Sequence, residues 1–367
     1  MISKKIGNIL PDYKKSVNRV FQALLHGGGL LLTEEAMKVG ASVHSKKLFK
    51  SNETNDELIS SLIGLNIIDQ PRKDQYPEYL TLSSSFRNKG IDVNKQLFSR
   101  LRDQYVNRLF IDWFINWLRH QNMVAWESNI GRQSPFHAVF NDQLWDAVSF
   151  TYLYGYYRKH EDKKIPSPVF IEAQINRMMY EEDIEGFVTR FKMQDARYKV
   201  KTYGERIMPV ILYNQMSAAA FARMKQEGLM SFQLKNILGP KIEELIQFLK
   251  NPWTLKNTNE AAEDWMTWME ENKLVEFMPL IHDELKFIKA AVLFKEKKYT
   301  LKQHIIIKQE GIFFEVEWSL LNEEKNHLII FTSENLRQLP LNKEKEEVIS
   351  NHFFSHIGLK PEFYKVM

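Results

Sequence analysis

Cysteine is absent from this sequence of 367 residues. That excludes disulfide scaffolds, thiol catalysis and thiolate-bound zinc, and it suits a reducing compartment. Long apolar runs are missing too, and nothing approaches the roughly 18 consecutive apolar residues of a membrane span. The opening stretch MISKKIGNILPDYKK lacks the apolar segment of a secretory signal, so a cytoplasmic protein with no membrane partner is expected. No Gly-x-x-x-x-Gly-Lys-[Ser/Thr] phosphate loop occurs, which argues against a self-contained ATPase motor. His26-Gly27-Gly28-Gly29 has no Gly-x-Ser-x-Gly nucleophile elbow to accompany it, so it reads as a helix stop rather than an oxyanion loop. The histidines show no His-Glu-x-x-His spacing, and His352 and His356, four apart, read as a structural pair.

What is present is ordinary for a globular chain in bulk: 44% hydrophobic and 26% charged residues, enough to bury a substantial core. Net charge is +4 and the pI about 8.8, a mild lean toward anionic partners. The basic residues are unevenly placed, concentrated in 158–164 and 190–201. The length predicts more than one domain, and three segments are expected: 1–92, 93–239 and 240–367.

In the first segment, residues 13–32 read as a helix interrupted by the three glycines. Thr33 then caps a second helix, and a third lies near Asn55–Leu65 with Leu58, Ile59, Leu62 and Ile63 at helical spacing. Asn66–Asp69, a polar turn between Pro71 and Pro77, and Tyr79–Leu82 complete a hairpin. Three helices followed by a β-hairpin resemble the winged-helix family in element order. Such a domain would set Lys46 and Lys47, before the third helix, and Arg72 and Lys73, in the wing, against DNA. The same residues equally describe a solvated surface on a protein-interaction module.

The chemistry is concentrated in 136–239. Residues 95–122 form a long helix with a broad apolar face, from Leu97 to Trp117. Asp146 then opens the apolar strand Ala147–Thr151, and a basic tip from Arg158 to Lys164 follows. The next strand, Val169–Ile175, alternates Glu172 and Gln174 with Ile171, Ala173 and Ile175. Residues two apart share a strand face, so Glu172 and Gln174 project together. A carboxylate within a buried strand is costly unless paired or bound to a cation. If the two strands are neighbours, Asp146 and Glu172 converge, and an oxygen-rich pair suits Mg²⁺. Downstream come a helix at Glu181–Met193, the strand Met208–Tyr213 and a helix at Ser217–Gly228. From about 291 to 334 alternating stretches read as strands of a small tail domain.

These residues resemble the PD-(D/E)XK nuclease superfamily, in which a strand beginning with Asp precedes a second strand carrying Glu-x-Lys. The resemblance covers about 120–239. It implies an α/β (α+β) fold: a restriction-endonuclease-like central mixed sheet flanked by helices, with the N-terminal winged helix and a C-terminal α+β domain beside it. It also implies Mg²⁺, replaceable by Mn²⁺, held by Asp146 and Glu172, with Gln174 positioning water or phosphate and Glu127 assisting from just after the long helix. The expected activity is hydrolysis of DNA phosphodiesters in restriction, defence or a mobile element, by a homodimer or as one subunit of a larger system. Arg177, Arg190, Lys192 and Arg197 would meet phosphates. Two departures stand out: Trp145 where the motif has proline, and Gln174 where it has lysine. The second keeps open an idle nuclease-fold scaffold, or a winged-helix DNA-binding or assembly protein.

Overall fold

The computed structural model describes residues 15–43, 53–69, 78–86, 92–126, 129–132, 136–160, 163–201, 207–250, 266–279, 282, 300–309, 312–322, 324–333 and 343–366. The chain is a mixed α+β protein of two compact units. One comprises 1–96 and 110–237, the other 97–109 and 238–367.

The first unit begins with α1 (Lys15–His26), whose Val17, Val20, Phe21 and Leu24 are buried at helical spacing. The helix stops where expected, but residues 30–32 do not belong to it. Gly28 (φ 75°) and Gly29 (φ 95°) take left-handed backbone that a helix cannot continue through. The chain emerges as β1 (Leu30–Leu32), buried throughout. Thr33 is the first residue of α2 (Thr33–Gly40) rather than its cap. The cap position is Leu32, whose N–H donates to Glu35 Oε2 at 3.0 Å. Helix α3 (Asn55–Gly64) carries a reciprocal cap: Glu57 N donates to Thr54 Oγ1 at 3.3 Å, and Thr54 N to Glu57 Oε2 at 3.0 Å. β2 (Tyr79–Thr81) pairs antiparallel with β1, while Ile68 bridges antiparallel to Leu82. The apolar faces of these elements close one core around Phe21, Leu24, Leu31, Leu58, Leu62 and Leu80.

Helix α4 (Val93–His120) starts at an Asp92 cap. β3 (Ala138–Phe140) and β4 (Gln143–Trp145) form a hairpin whose two turn residues, Asn141 (φ 50°) and Asp142 (φ 68°), both take the left-handed region a tight two-residue turn requires. Asp146 separates β4 from β5 (Ala147–Thr151). The small hairpin β6 (Arg158–His160) and β7 (Lys163–Ile165) leads to β8 (Ser167–Met179), then α5 (Glu181–Lys201), β9 (Met208–Met216), α6 (Ala218–Gln226) and β10 (Met230–Gln233).

The central sheet has the order β10-β9-β8-β5, with β8, β9 and β10 parallel and β5 antiparallel to β8. Strand β8 is buried on both faces at Val169, Phe170 and Ile171. That is why its composition is nearly continuously apolar and why a charge inside it stands out. Trp145, Phe170, Ile184, Phe187 and Ile211 fill the core between this sheet and its helices. Helices α1 and α2 both pack on α5. The approach is closest at Gly186, where a Cβ would lie 2.6 Å from the Val39 carbonyl oxygen.

In the second unit, after α7 (Leu234–Leu238), α8 (Ile242–Lys250) is tied to residues 97–109. Arg102 Nε donates to Leu249 O at 2.6 Å, and Lys250 pairs with Asp103 at 3.1 Å. Strands β11 (Thr300–Gln309), β12 (Ile312–Asn322), β13 (His327–Ser333) and β14 (Glu362–Val366) form a sheet in that order, antiparallel except for the β13–β14 pair. Helix α9 (Lys343–Ile357) packs Ile349 and Phe353 against it. Trp268 is buried, while Trp253 and Trp265 lie outside the described residues. Among the described residues no helix is long and apolar enough to cross a membrane.

Candidate functional site

The antiparallel register of β5 and β8 pairs Ala147 with Ile171. Asp146 and Glu172, each one residue beyond that pair, therefore come to the same end of the two strands. Both are buried. The Asp146 carboxylate is held from behind by the strand itself, with Ala173 N donating to Oδ2 at 2.7 Å. Its other oxygen, Oδ1, meets the ammonium of Lys38, which reaches in from α2. The same Lys38 Nζ lies 3.2 Å from Glu172 Oε1. Glu172 Oε2 accepts in turn from Arg190 Nη2 of α5 at 2.8 Å. Each carboxylate thus has one oxygen pinned by a donor and one aimed at a common cation.

Arg190 is seated by four contacts. Its Nη1 donates to Leu144 O at 2.5 Å and its Nη2 to Glu172, while its guanidinium lies 4.7 Å from the Trp145 ring centroid and 5.8 Å from that of Phe187. His137, wholly buried before β3, links the centre to α2 again. Its Nδ1 is 2.7 Å from Glu34 Oε2, and its Nε2 is 3.4 Å from Asp146 Oδ1.

Burial alone would push the Asp146 carboxyl up. Lys38 and then His137 outweigh it and hold the group well below the usual carboxylate range. Burial alone would lower the Lys38 ammonium and the His137 imidazole, yet the facing carboxylates raise both. Three acids (Glu34, Asp146, Glu172) face three basic side chains (Lys38, His137, Arg190), and the buried cluster is close to neutral.

Gln174 is two residues further along β8 and half-buried. With its amide oriented to satisfy its neighbours, its oxygen accepts from Arg177 Nη2 at 3.0 Å and Nε at 3.1 Å. Arg177 makes a two-pronged pair with Asp183, both contacts 2.7 Å, at the start of α5. Asp183 is held below its ordinary range by Arg177, against the upward push of burial. Beside this pair, the His26 and Tyr180 rings stack at 3.7 Å, and His26 Nδ1 lies 2.5 Å from Glu182 Oε1. Gln174 and Arg177 therefore serve a second polar cluster that fixes the first turn of α5.

β5 and β8 are neighbours, the condition on which Asp146 and Glu172 were expected to converge, and Arg190 lies inside with them rather than on the surface. Lys192 is exposed and pairs with Glu227 at 2.7 Å. Arg197 lies on α5, but its side chain is outside what the structure describes, and Glu127, Lys46, Lys47, Arg72 and Lys73 lie outside the described residues. Sequence reasoning missed Lys38, Glu34 and His137. Lys38 has no motif of its own, since four residues after Glu34 it reads as half of a surface helix pair. His137 carried a usable signal, being the one polar residue in Phe136–Phe140.

Mg²⁺ is the ion the resemblance implies, and carboxylate oxygens are hard donors of the kind it takes. The two hard oxygens Asp146 Oδ1 and Glu172 Oε1 converge on one cationic atom, and one or two carboxylates are the usual protein share of a Mg²⁺ site. Among the described residues no group of three or more His, Asp or Glu side chains is arranged as a metal site.

The sequence matches no family model and no curated protein. A chain of the solved EndoMS–dsDNA2 complex is similar over 43% of this chain and 51% of that one, at 8% identity and a TM-score of 0.22. This chain thus spans about half the length of that one, and a likeness of this degree carries no statement about fold or activity here.

Proposed function

We propose that this chain is a nuclease-type DNA-processing protein whose working centre is Asp146, Glu172 and Lys38, with Mg²⁺ or Mn²⁺ as its metal. The observation that carries the reading is the aim of the two carboxylates. Ala173 N and Arg190 pin one oxygen of each, and the other two oxygens meet at a single cation. Side chains whose orientation is fixed in advance are what charge-stabilising catalysis needs. Lys38 supplies from α2 the cation that the resemblance expects at position 174. The strand order β9-β8-β5, with β5 antiparallel, also suits that resemblance.

When bound, the metal would lower the pKa of a coordinated water and offset charge developing on a phosphodiester. Asp146 Oδ1 and Glu172 Oε1 would hold it. Lys38 shares those oxygens, so it would have to yield them to the metal, and its ammonium would then be available to donate to a phosphate oxygen. Arg190 keeps Glu172 oriented, and His137 does the same for Asp146. Glu127 as an assisting ligand, and the winged-helix lysines as DNA contacts, belong to the same reading.

The test is cleavage of single-stranded, double-stranded and branched DNA with Mg²⁺ or Mn²⁺, beside Glu172→Gln and Glu172→Ala at matched purity. Cleavage that both substitutions abolish, with folding retained in the Gln variant, supports the reading. The near-neutral balance of the buried cluster favours one alternative, in which Lys38 and Arg190 are permanent counter-ions and the core is a scaffold. That alternative predicts no cleavage and no rise in melting temperature on adding Mn²⁺.

A further inference from the structure

We propose that the end of the β5–β8 strand pair remote from Asp146 is a binding edge for single-stranded nucleic acid, in which exposed aromatic rings stack on unpaired bases. Thr151 pairs with Ser167 at that end. Five residue steps of strand, about 17 Å, separate it from the carboxylates. Three of the five large aromatic side chains exposed among the described residues lie here: Tyr154 at 92%, Trp126 at 60% and Tyr152 at 49%. Trp126 is brought to the edge because its neighbour Ala125 donates its N–H to Phe150 O at 2.8 Å, two residues before Tyr152.

Exposed rings on this scale are unusual for a folded surface and mark interaction sites. Their surroundings say which kind. Lys164 Nζ lies 5.1 Å from the Tyr157 ring centroid, Arg119 lies 6.0 Å from that of Trp126, and Tyr157 meets Tyr154 edge-on at 6.5 Å. Residues 152–165 carry four Lys or Arg against two acids, and Lys163 and Lys164 are both exposed. Rings interleaved with cations fit a strand that offers base faces and phosphates together. A purely apolar partner would leave the lysines unpaired. A duplex keeps its base faces stacked inside and could use only the charge. The inference does not depend on Asp146 and Glu172 being catalytic.

The experiment is fluorescence anisotropy of the full chain with labelled oligo-dT, oligo-U and a duplex of equal length, in EDTA so that no metal chemistry contributes. Tyr154→Ala is expected to weaken oligo-dT or oligo-U binding about tenfold, with Tyr154→Phe close to the parent. The melting temperature should stay unchanged, because the ring is almost fully exposed. Lys163→Gln/Lys164→Gln should reduce the slope of log affinity against log salt by about 1–2. The relative affinities for oligo-dT and oligo-U say whether DNA or RNA is the natural strand, and either result supports the edge. Equal affinity of parent and Tyr154→Ala would overturn it, as would preference for the duplex or no binding to either oligonucleotide. A loss of cleavage in Glu172→Gln with oligonucleotide binding intact would separate this edge from the catalytic proposal.

Discussion

Two four-stranded sheets, one in each unit, handle buried polarity differently. The sheet β10-β9-β8-β5 has two carboxylates, Asp146 and Glu172, buried at one end of neighbouring strands. In the sheet β11-β12-β13-β14, the buried polar side chains among the described residues are Ser319 and Asn322, both uncharged. A neutral group can be satisfied locally, and Asn322 Oδ1 accepts from Lys325 N at 3.0 Å. A buried carboxylate needs opposite charge, and Asp146 and Glu172 obtain it from α2 and α5. The difference teaches where to look for function. Among the described residues the second sheet buries only neutral polar groups, whereas the first gathers Lys38, His137 and Arg190 from distant parts of the chain at a substantial desolvation cost.

The largest test of that contrast removes Lys38. Lys38→Met should destabilise the chain by about 3–5 kcal/mol in urea denaturation, because it strands Asp146 without its main partner. A double-mutant cycle with Asp146→Asn should return much of the loss, since the Asn no longer carries the uncompensated charge. Additive losses would mean that the two groups are not coupled in solution. Under the proposed function, Lys38→Met also abolishes cleavage.

A smaller effect probes how Lys38 is delivered. Gly186→Ala places a Cβ 2.6 Å from Val39 O and 2.9 Å from Val39 Cα, both backbone atoms that cannot swing away. Forcing α2 from α5 should cost about 1–3 kcal/mol. Gly131, with nothing within 4 Å of an added Cβ, is the matched control and should tolerate Ala. Equal behaviour of the two variants would show that α2 has room to shift.

The pH dependence carries the same contrast. Asp146 and Asp183 are held below their ordinary range in the folded chain, so their contribution is complete above about pH 4, near the unfolded value. It is lost as pH falls through their folded values. His137 is raised, so its contribution is complete below about pH 6.5 and lost as pH rises through its folded value. Urea midpoints measured across pH should therefore fall on both sides; His137→Gln should flatten the alkaline side and, because His137 also helps to hold Asp146 low, trim the acid side. An unchanged alkaline limb in that variant would remove His137 from the network.

The sequence made the strands legible, but not the company they keep. Alternation around Glu172 and the apolar run after Asp146 identified both carboxylates and their shared end, because strand periodicity is local. That the two carboxylates meet was conditional on the strands being neighbours, which the observed pairing of Ala147 with Ile171 decides. Leu30–Leu32 was misplaced in a helix because three leucines satisfy either period, and only the distant partner Tyr79–Thr81 decides for a strand. Lys38 was invisible for the same reason. Its partner Asp146 is 108 residues away, while Glu34 offered a plausible local mate that in fact reaches His137. Arg190 sits in a basic run that reads as a solvated face, yet it shares a helical stripe with Phe187 and Gln194, both fully buried. Charged residues on an apolar stripe are the signal that was available.

The smallest expected effect lies in the second sheet. Asn322 pairs with His327 where β12 turns into β13, and its side chain caps the turn through Lys325 N. Asn322→Ala should cost about 1 kcal/mol, the net worth of one neutral hydrogen bond. It should leave cleavage and oligonucleotide binding at parental levels. The prediction is sharp because Asn322, at 1% exposure, is as deeply buried as Arg190. If burial of a polar group were itself the mark of a working centre, the two substitutions would behave alike. A small loss at Asn322 beside a large one at Arg190→Met would show that what separates the sheets is buried charge rather than depth. The carboxylate end of β5 and β8 is then the part of the molecule whose stability rests on paired buried charges.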